Sequence, residues 1–102
     1  PSIGTLTIDG LKDLYLNSAT ITYTAKYKDV NGNDVSSNYT SVWTITNATF
    51  DTSKLTQTVN GNQITLYYED DTLLGETFTL NVVDTDGTFT PATMNITLVE
   101  AF

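Results

Sequence analysis

The sequence predicts an all-β fold of two facing antiparallel layers, and three observations carry that prediction. First, polar Thr20, Thr22, Thr24, Lys26 and Lys28 interleave with apolar Ile21, Tyr23, Ala25 and Tyr27; a period of two puts one face in a core and the other in water. The same alternation returns in Thr77 to Val82, where Phe78, Leu80 and Val82 share a face, and in Thr93 to Leu98, where Met94, Ile96 and Leu98 do. Second, about a fifth of the residues are threonine, which with Val, Ile and Tyr fits a pleated, half-buried surface better than a helix. Third, Asn-Gly and Asp-Gly pairs separate the alternating runs, where tight reversals need residues that tolerate positive φ.

In chain order, Thr5 to Asp9 forms a short first strand with Leu6 and Ile8 on one face, ended by Asp9-Gly10. Leu11, Leu14 and Leu16 fit either one helical turn or a second edge segment, and their spacing leaves both open. The next strand runs from about Ser18 to Lys28, and Asp29 to Asp34, centred on Asn31-Gly32, makes a hairpin or short loop. Ser41 to Thr46 follows, with Trp43 and Ile45 inward and Val42 outward, so that Trp43 is expected at the sandwich centre. Asn47 to Lys54 is a loop whose Phe50 folds back as a lid on the core. Leu55 to Val59 and Gln63 to Tyr68 flank Asn60-Gly61-Asn62 as a hairpin, with Ile64, Leu66 and Tyr68 inward. Glu69-Asp70-Asp71 and Gly75 form the next crossing, and Asp84 to Gly87 turns the final pair. Pro91 has no N–H to give a ladder, so it starts or interrupts the last strand at an edge. About seven strands with turn signals at roughly eight- to twelve-residue intervals fit an immunoglobulin-like antiparallel β-sandwich. Its core centres on Trp43, Tyr23, Ala25, Leu80 and Ile96.

A chain of 102 residues is the size of one domain, taken as 1–102, with enough buried surface for one core. Hydrophobic residues at 39% and charged residues at 16% argue against disorder. Arginine and histidine are absent, and four lysines face twelve carboxylates for a net charge of −8. Nucleic acid is therefore not expected as a partner, since phosphate binding needs clustered cations, and an anionic membrane would repel the chain. Without cysteine there is no disulfide, no thiolate nucleophile and no zinc site of the usual Cys/His kind. No apolar run reaches the length of a membrane span, and Pro1-Ser2-Ile3-Gly4 lacks the basic and apolar segments of a signal peptide. The ends read as though cut from a longer protein.

Five segments carry a resemblance: Tyr23-Thr24-Ala25-Lys26-Tyr27, the turn Asp29 to Asp34, Trp43-Thr44-Ile45-Thr46-Asn47, Gly61-Asn62-Gln63-Ile64, and Gly75 followed by Thr77-Phe78-Thr79-Leu80. Over roughly Leu14 to Val99 they resemble bacterial immunoglobulin-like (Big-type) domains, most of all those in tail and virion proteins of phages of Gram-positive bacteria. The resemblance implies a sandwich without the inter-sheet disulfide, with Ala25 and Leu80 in its place and Trp43 packed across them. A Ser-Ser-Asn run is usual after the tryptophan, and this chain has Thr44-Ile45-Thr46-Asn47 instead. The role implied is a non-catalytic module displayed on a particle or cell surface, as spacer or weak adhesive patch.

Candidate sites divide by chemistry. Glu69, Asp70, Asp71 and Glu76 could supply an acid and a base for glycoside hydrolysis, but carboxylates side by side on a loop do not face each other across a cleft; no catalytic residue and no cofactor are assigned. Calcium takes several oxygen ligands, for which Asp29, Asn31, Asn33 and Asp34 form one candidate loop. Asp84 and Asp86, with Asp70 or Asp71, form another, although Asx residues are also what turns require. A sugar platform needs exposed rings; Tyr67 and Tyr39 are the candidates, with Tyr15 and Phe89 in or near loops. A Lys to Asn amide bond needs a buried lysine, and Lys26 and Lys28 read as outward. Asn38-Tyr39-Thr40, Asn47-Ala48-Thr49 and Asn95-Ile96-Thr97 match the glycosylation pattern, which a threonine-rich chain meets by chance.

The function expected from the sequence is a structural or adhesion module of a phage tail or virion protein. Its partners are neighbouring domains of the parent protein and host-surface glycan. The rivals are a bacterial cell-surface adhesin module and a carbohydrate-binding appendage of a secreted glycosidase.

Overall fold

The computed structural model describes residues 4–16 and 21–100; the expected strand start at Ser18 to Thr20 lies outside them. Eight strands form: β1 (Gly4–Asp9), β2 (Asp13–Tyr15), β3 (Ile21–Asp29), β4 (Ser41–Thr46), β5 (Thr56–Asn60), β6 (Gln63–Tyr67), β7 (Thr77–Asp84) and β8 (Ala92–Val99). They make two four-stranded sheets, ordered β1-β3-β6-β5 and β2-β8-β7-β4. The leucine segment resolves as the edge strand β2, where Leu14 is buried and Leu11 exposed. It runs parallel to β8, so this sheet is mixed rather than purely antiparallel. The reason is local. The chain leaves β1 at Asp9, crosses to the opposite sheet and keeps its direction, which gives the N-terminal segment one strand in each layer. Gly10 permits the crossing, because a Cβ there would strike the Tyr23 ring, and the Tyr23 hydroxyl donates to Leu11 O at 2.6 Å.

Asp29 to Asp34 reverses the chain without pairing β3 to β4. A single bridge joins Lys28 to Asp34, a 3-10 turn follows at Ser36–Asn38, and β4 then enters the other sheet. Between β5 and β6 the reversal takes two residues, since Asn60 pairs with Gln63. Gly61 holds φ 59° at the first central position, where the turns that match strand twist need a positive φ. Pro91 directly precedes β8, so it starts the strand; β2 on one side and β7 on the other make β8 internal, not an edge.

Two clusters fill the space between the sheets. The larger includes Leu14, Tyr23, Ile64, Leu66, Tyr68, Phe78, Leu80, Ile96 and Leu98; the smaller holds Leu6, Ala25, Tyr27, Val82 and Phe89. Tyr23, Ala25, Leu80 and Ile96 are fully buried, as expected. Trp43 is not. It is half-buried at the junction, touching both clusters, and its indole N–H donates to Gly61 O of the β5–β6 turn at 3.2 Å. β4 is an edge strand, so a large side chain there overhangs the core margin instead of plugging its centre. Phe50 does fold back, meeting Phe78 edge-on with ring centres 6.0 Å apart.

Register fixes the poles of the molecule. Gly4, where β1 begins, pairs with Asp29 at the end of β3; Tyr27, near that end, meets Ser41 at the start of β4, which pairs with Asp84 at the end of β7. Val99 ends β8 at the other pole, where its carbonyl accepts from the Tyr68 hydroxyl at 2.7 Å. The first strand therefore enters at one end of a body measuring 44 × 23 × 18 Å, and the last strand leaves at the opposite end.

Candidate functional site

The outer face of β4, β7 and β8 is a lattice of hydroxyls and carboxamides. Alternation sends Phe78, Leu80, Ile96 and Leu98 inward, which turns their neighbours outward. Register then sets Thr44, Asn81 and Thr93 in one row across the strands, and Thr46, Thr79 and Asn95 in the next. A further row pairs Thr77 with Thr97. None of these residues carries a charge, in a chain of net charge −8. Side-chain bonds orient the amides: Thr79 Oγ1 donates to Asn95 Oδ1 at 2.9 Å, and Asn81 Nδ2 donates to Thr46 Oγ1 at 2.8 Å.

At the Thr77 end of this lattice lies an open cleft of about 410 Å³, lined by Asn47, Thr77, Phe78, Thr79 and Asn95. Asn47 directly follows β4 with φ 56°, the sole positive φ outside glycine among the described residues. Asparagine tolerates that conformation better than other side chains because its short amide bonds locally. No local pattern marks the cleft, because its residues come from β7, β8 and the residue after β4 and converge only in the folded sheet.

The expected site residues lie elsewhere and are mostly engaged. The Asp29 carboxylate accepts from Asn31 N and Asn33 N, both at 2.9 Å, and from Asn33 Nδ2 at 3.2 Å; these bonds hold it below the usual carboxylate range, the Asn33 backbone N–H foremost. Asp34 accepts from Ser36 N at 2.9 Å, and bonds from Ser36 likewise lower its pKa. Asp84 is buried, accepting from Thr88 N with both oxygens at 3.0 Å and from Phe89 N at 3.1 Å, which closes the β7–β8 turn. Asp86 is exposed in that turn. Among the described residues no group of three His, Cys, Asp or Glu side chains is placed to hold a metal ion.

Asp70 caps a 3-10 turn at Asp71–Leu73 and pairs with Lys54 at 3.0 Å. Tyr39 is stacked on Tyr27 with centres 5.1 Å apart and meets Phe89 edge-on at 4.8 Å, so its ring is part of a packed aromatic group. Phe89, expected near the surface, is buried because the turn folds it under Tyr39 and against Tyr27. Tyr67 is half-buried with its hydroxyl donating to Glu69 at 3.2 Å. Lys28 is exposed, and Lys26 is half-exposed near Asp9.

Two sheets in this strand order, with paired N-terminal strands split between the layers and no cysteine, define a disulfide-free immunoglobulin-like sandwich. No family model matches the chain, and no curated protein does. Among solved structures, the adhesin InvE of Yersinia pseudotuberculosis is similar at 29% identity with a TM-score of 0.49, over 93% of this chain and 26% of that one. The chain thus spans about a quarter of that protein's length. The fold assignment rests on strand order and register.

Proposed function

We propose that the chain is a non-catalytic spacer and adhesion module displayed on a surface. The observation that supports this is the placement of its first and last strands. The first strand enters at one pole and the last leaves at the other, along a 44 Å axis, so flanking domains would be held apart end to end. Rigidity along that axis follows from buried packing and from hydroxyl bonds tying the layers together. The acidic surface keeps such a module soluble and away from anionic envelopes except where a neutral face meets them. The resemblance to modules of phages of Gram-positive bacteria favours a tail or virion protein, outside the cell, as the setting.

The test is exchange within the parent protein of this domain for an unrelated sandwich of equal length. Preserved assembly and attachment support the spacer role, and attachment lost with assembly intact assigns adhesion to this domain. Loss of a chemical turnover by the parent overturns the non-catalytic reading. Immunogold labelling of virions and of bacterial walls separates the phage setting from a cell-surface adhesin.

A further inference from the structure

We propose that the cleft bounded by Asn47, Thr77, Thr79 and Asn95 binds a sugar residue of a neutral glycan, whose chain continues over the lattice of β7 and β8. The inference deepens the reading of the domain as a displayed module and rests on it. It moves the contact away from Tyr39, whose ring is packed against Tyr27 and Phe89, and from Tyr67, whose hydroxyl bonds Glu69.

Three observations converge. The cleft, at about 410 Å³, falls within the size of small-ligand sites and is open at one side, as a chain entering and leaving requires. Its polar groups are unspent: Asn95 Oδ1 takes the Thr79 hydroxyl, while the Asn95 amide nitrogen, the Asn47 carboxamide and the Thr77 hydroxyl bond to no described residue. Carboxamides and hydroxyls give and accept at once, which matches vicinal hydroxyls and acetamido groups. The cleft and the rows beyond it are uncharged in a chain of net charge −8. A polyanion would be repelled by the net negative charge of the chain, and a cationic ligand would find no counter-charge in the cleft. Asn47 adds a reason for position. Its φ is left-handed, and residues held in such sparsely populated regions cluster at ligand contacts.

The experiment is titration of the intact chain, followed by amide chemical shifts, with chitotriose and maltotriose as neutral probes. Oligogalacturonate serves as the anionic probe and a polar uncharged peptide as the competing class. Shifts confined to Asn47, Thr77, Thr79, Asn95 and their row neighbours, with a Kd on the order of millimolar for so open a site, are the expected result with at least one neutral sugar. Asn47→Gly keeps the positive φ while removing the amide, and Asn95→Ala removes the second. Each should weaken binding about tenfold with the spectrum otherwise unchanged. Shifts with neither neutral sugar overturn the proposal, as do shifts mapping to Tyr67 or Tyr39, equal binding of oligogalacturonate, or binding of the peptide alone. Such a failure leaves the spacer role to the domain exchange, which reads a different property.

Discussion

The hydroxyl of Tyr27 lies 2.7 Å from Oγ of Ser41, joining β3 in one sheet to β4 in the other. Ser41 gives its own proton to Asn62 Oδ1 at 2.8 Å, so Tyr27 is the donor. Asn62 Nδ2 donates to Ser36 O at 2.8 Å, and Ser36 Oγ accepts from Tyr27 N at 2.9 Å, which closes a ring of bonds through both layers. With Tyr23 to Leu11 and Tyr68 to Val99, three buried tyrosines tie the sandwich together through their hydroxyls.

Ser41→Ala leaves the Tyr27 hydroxyl and Asn62 Oδ1 without that partner and should cost about 1–3 kcal/mol. Tyr27→Phe should cost a similar amount, and the double variant less than the sum, because both changes break one ring. Urea unfolding of the four proteins measures this. Strict additivity would show that the ring does not act as a unit.

Burial, with the Asp13 charge adding to it, pushes the Tyr23 hydroxyl up to about 12; burial also raises Tyr27 and Tyr68. Above about pH 10 the unfolded chain gives up phenolic protons that the folded chain keeps. The unfolded state then binds fewer protons, so stability falls from about pH 10 to about pH 12. Tyr23→Phe should flatten that fall, measured by unfolding at stepped alkaline pH, although it loses the bond to Leu11 at every pH.

At the acid end, the Thr72 hydroxyl, then Lys54 and the Thr72 backbone N–H, lower the Asp70 carboxyl to about 2. A depressed carboxylate adds stability above its unfolded value of about 3.9, and that share is lost as pH falls through about 2. Asp70→Asn should shrink the acid dependence between those limits while leaving alkaline unfolding unchanged. An unaltered acid limb would remove Asp70 from the account.

Asp84→Asn replaces one acceptor oxygen with a donor facing the Thr88 and Phe89 N–H groups. The expected cost is about 1–3 kcal/mol, with the Phe89 ring loosened from Tyr39 and seen as a shift in their ring resonances. Calcium should leave the wild-type Tm unchanged, because the Asp84 oxygens already take backbone hydrogens; a rise in Tm lost in Asp86→Ala would reinstate the metal.

Strand existence and inward faces were legible because alternation is a local property. Ile64, Leu66, Phe78, Leu80 and Ile96 could face only one way once their strands formed. Leu14 was ambiguous because three residues are too few to show a period, and its parallel partner Leu98 lies far along the chain. Trp43 is less buried than alternation predicts because alternation reports which face a side chain takes, not whether its strand is central or at an edge. Tyr39 and Phe89 looked like surface rings for a similar reason: their loops meet Tyr27 only after both sheets are assembled.

By itself the sequence determined the class, an all-β sandwich whose strands and turns follow from period-two patterning and from Asx-Gly reversals, together with an acidic, cation-poor chemistry. Only the tertiary structure decided the strand order, the parallel β2–β8 edge, the opposed poles, and the cleft of Asn47 and Asn95. Those features depend on contacts between residues distant in the chain, and pairing energies across sheets leave no periodic trace in the residues that make them.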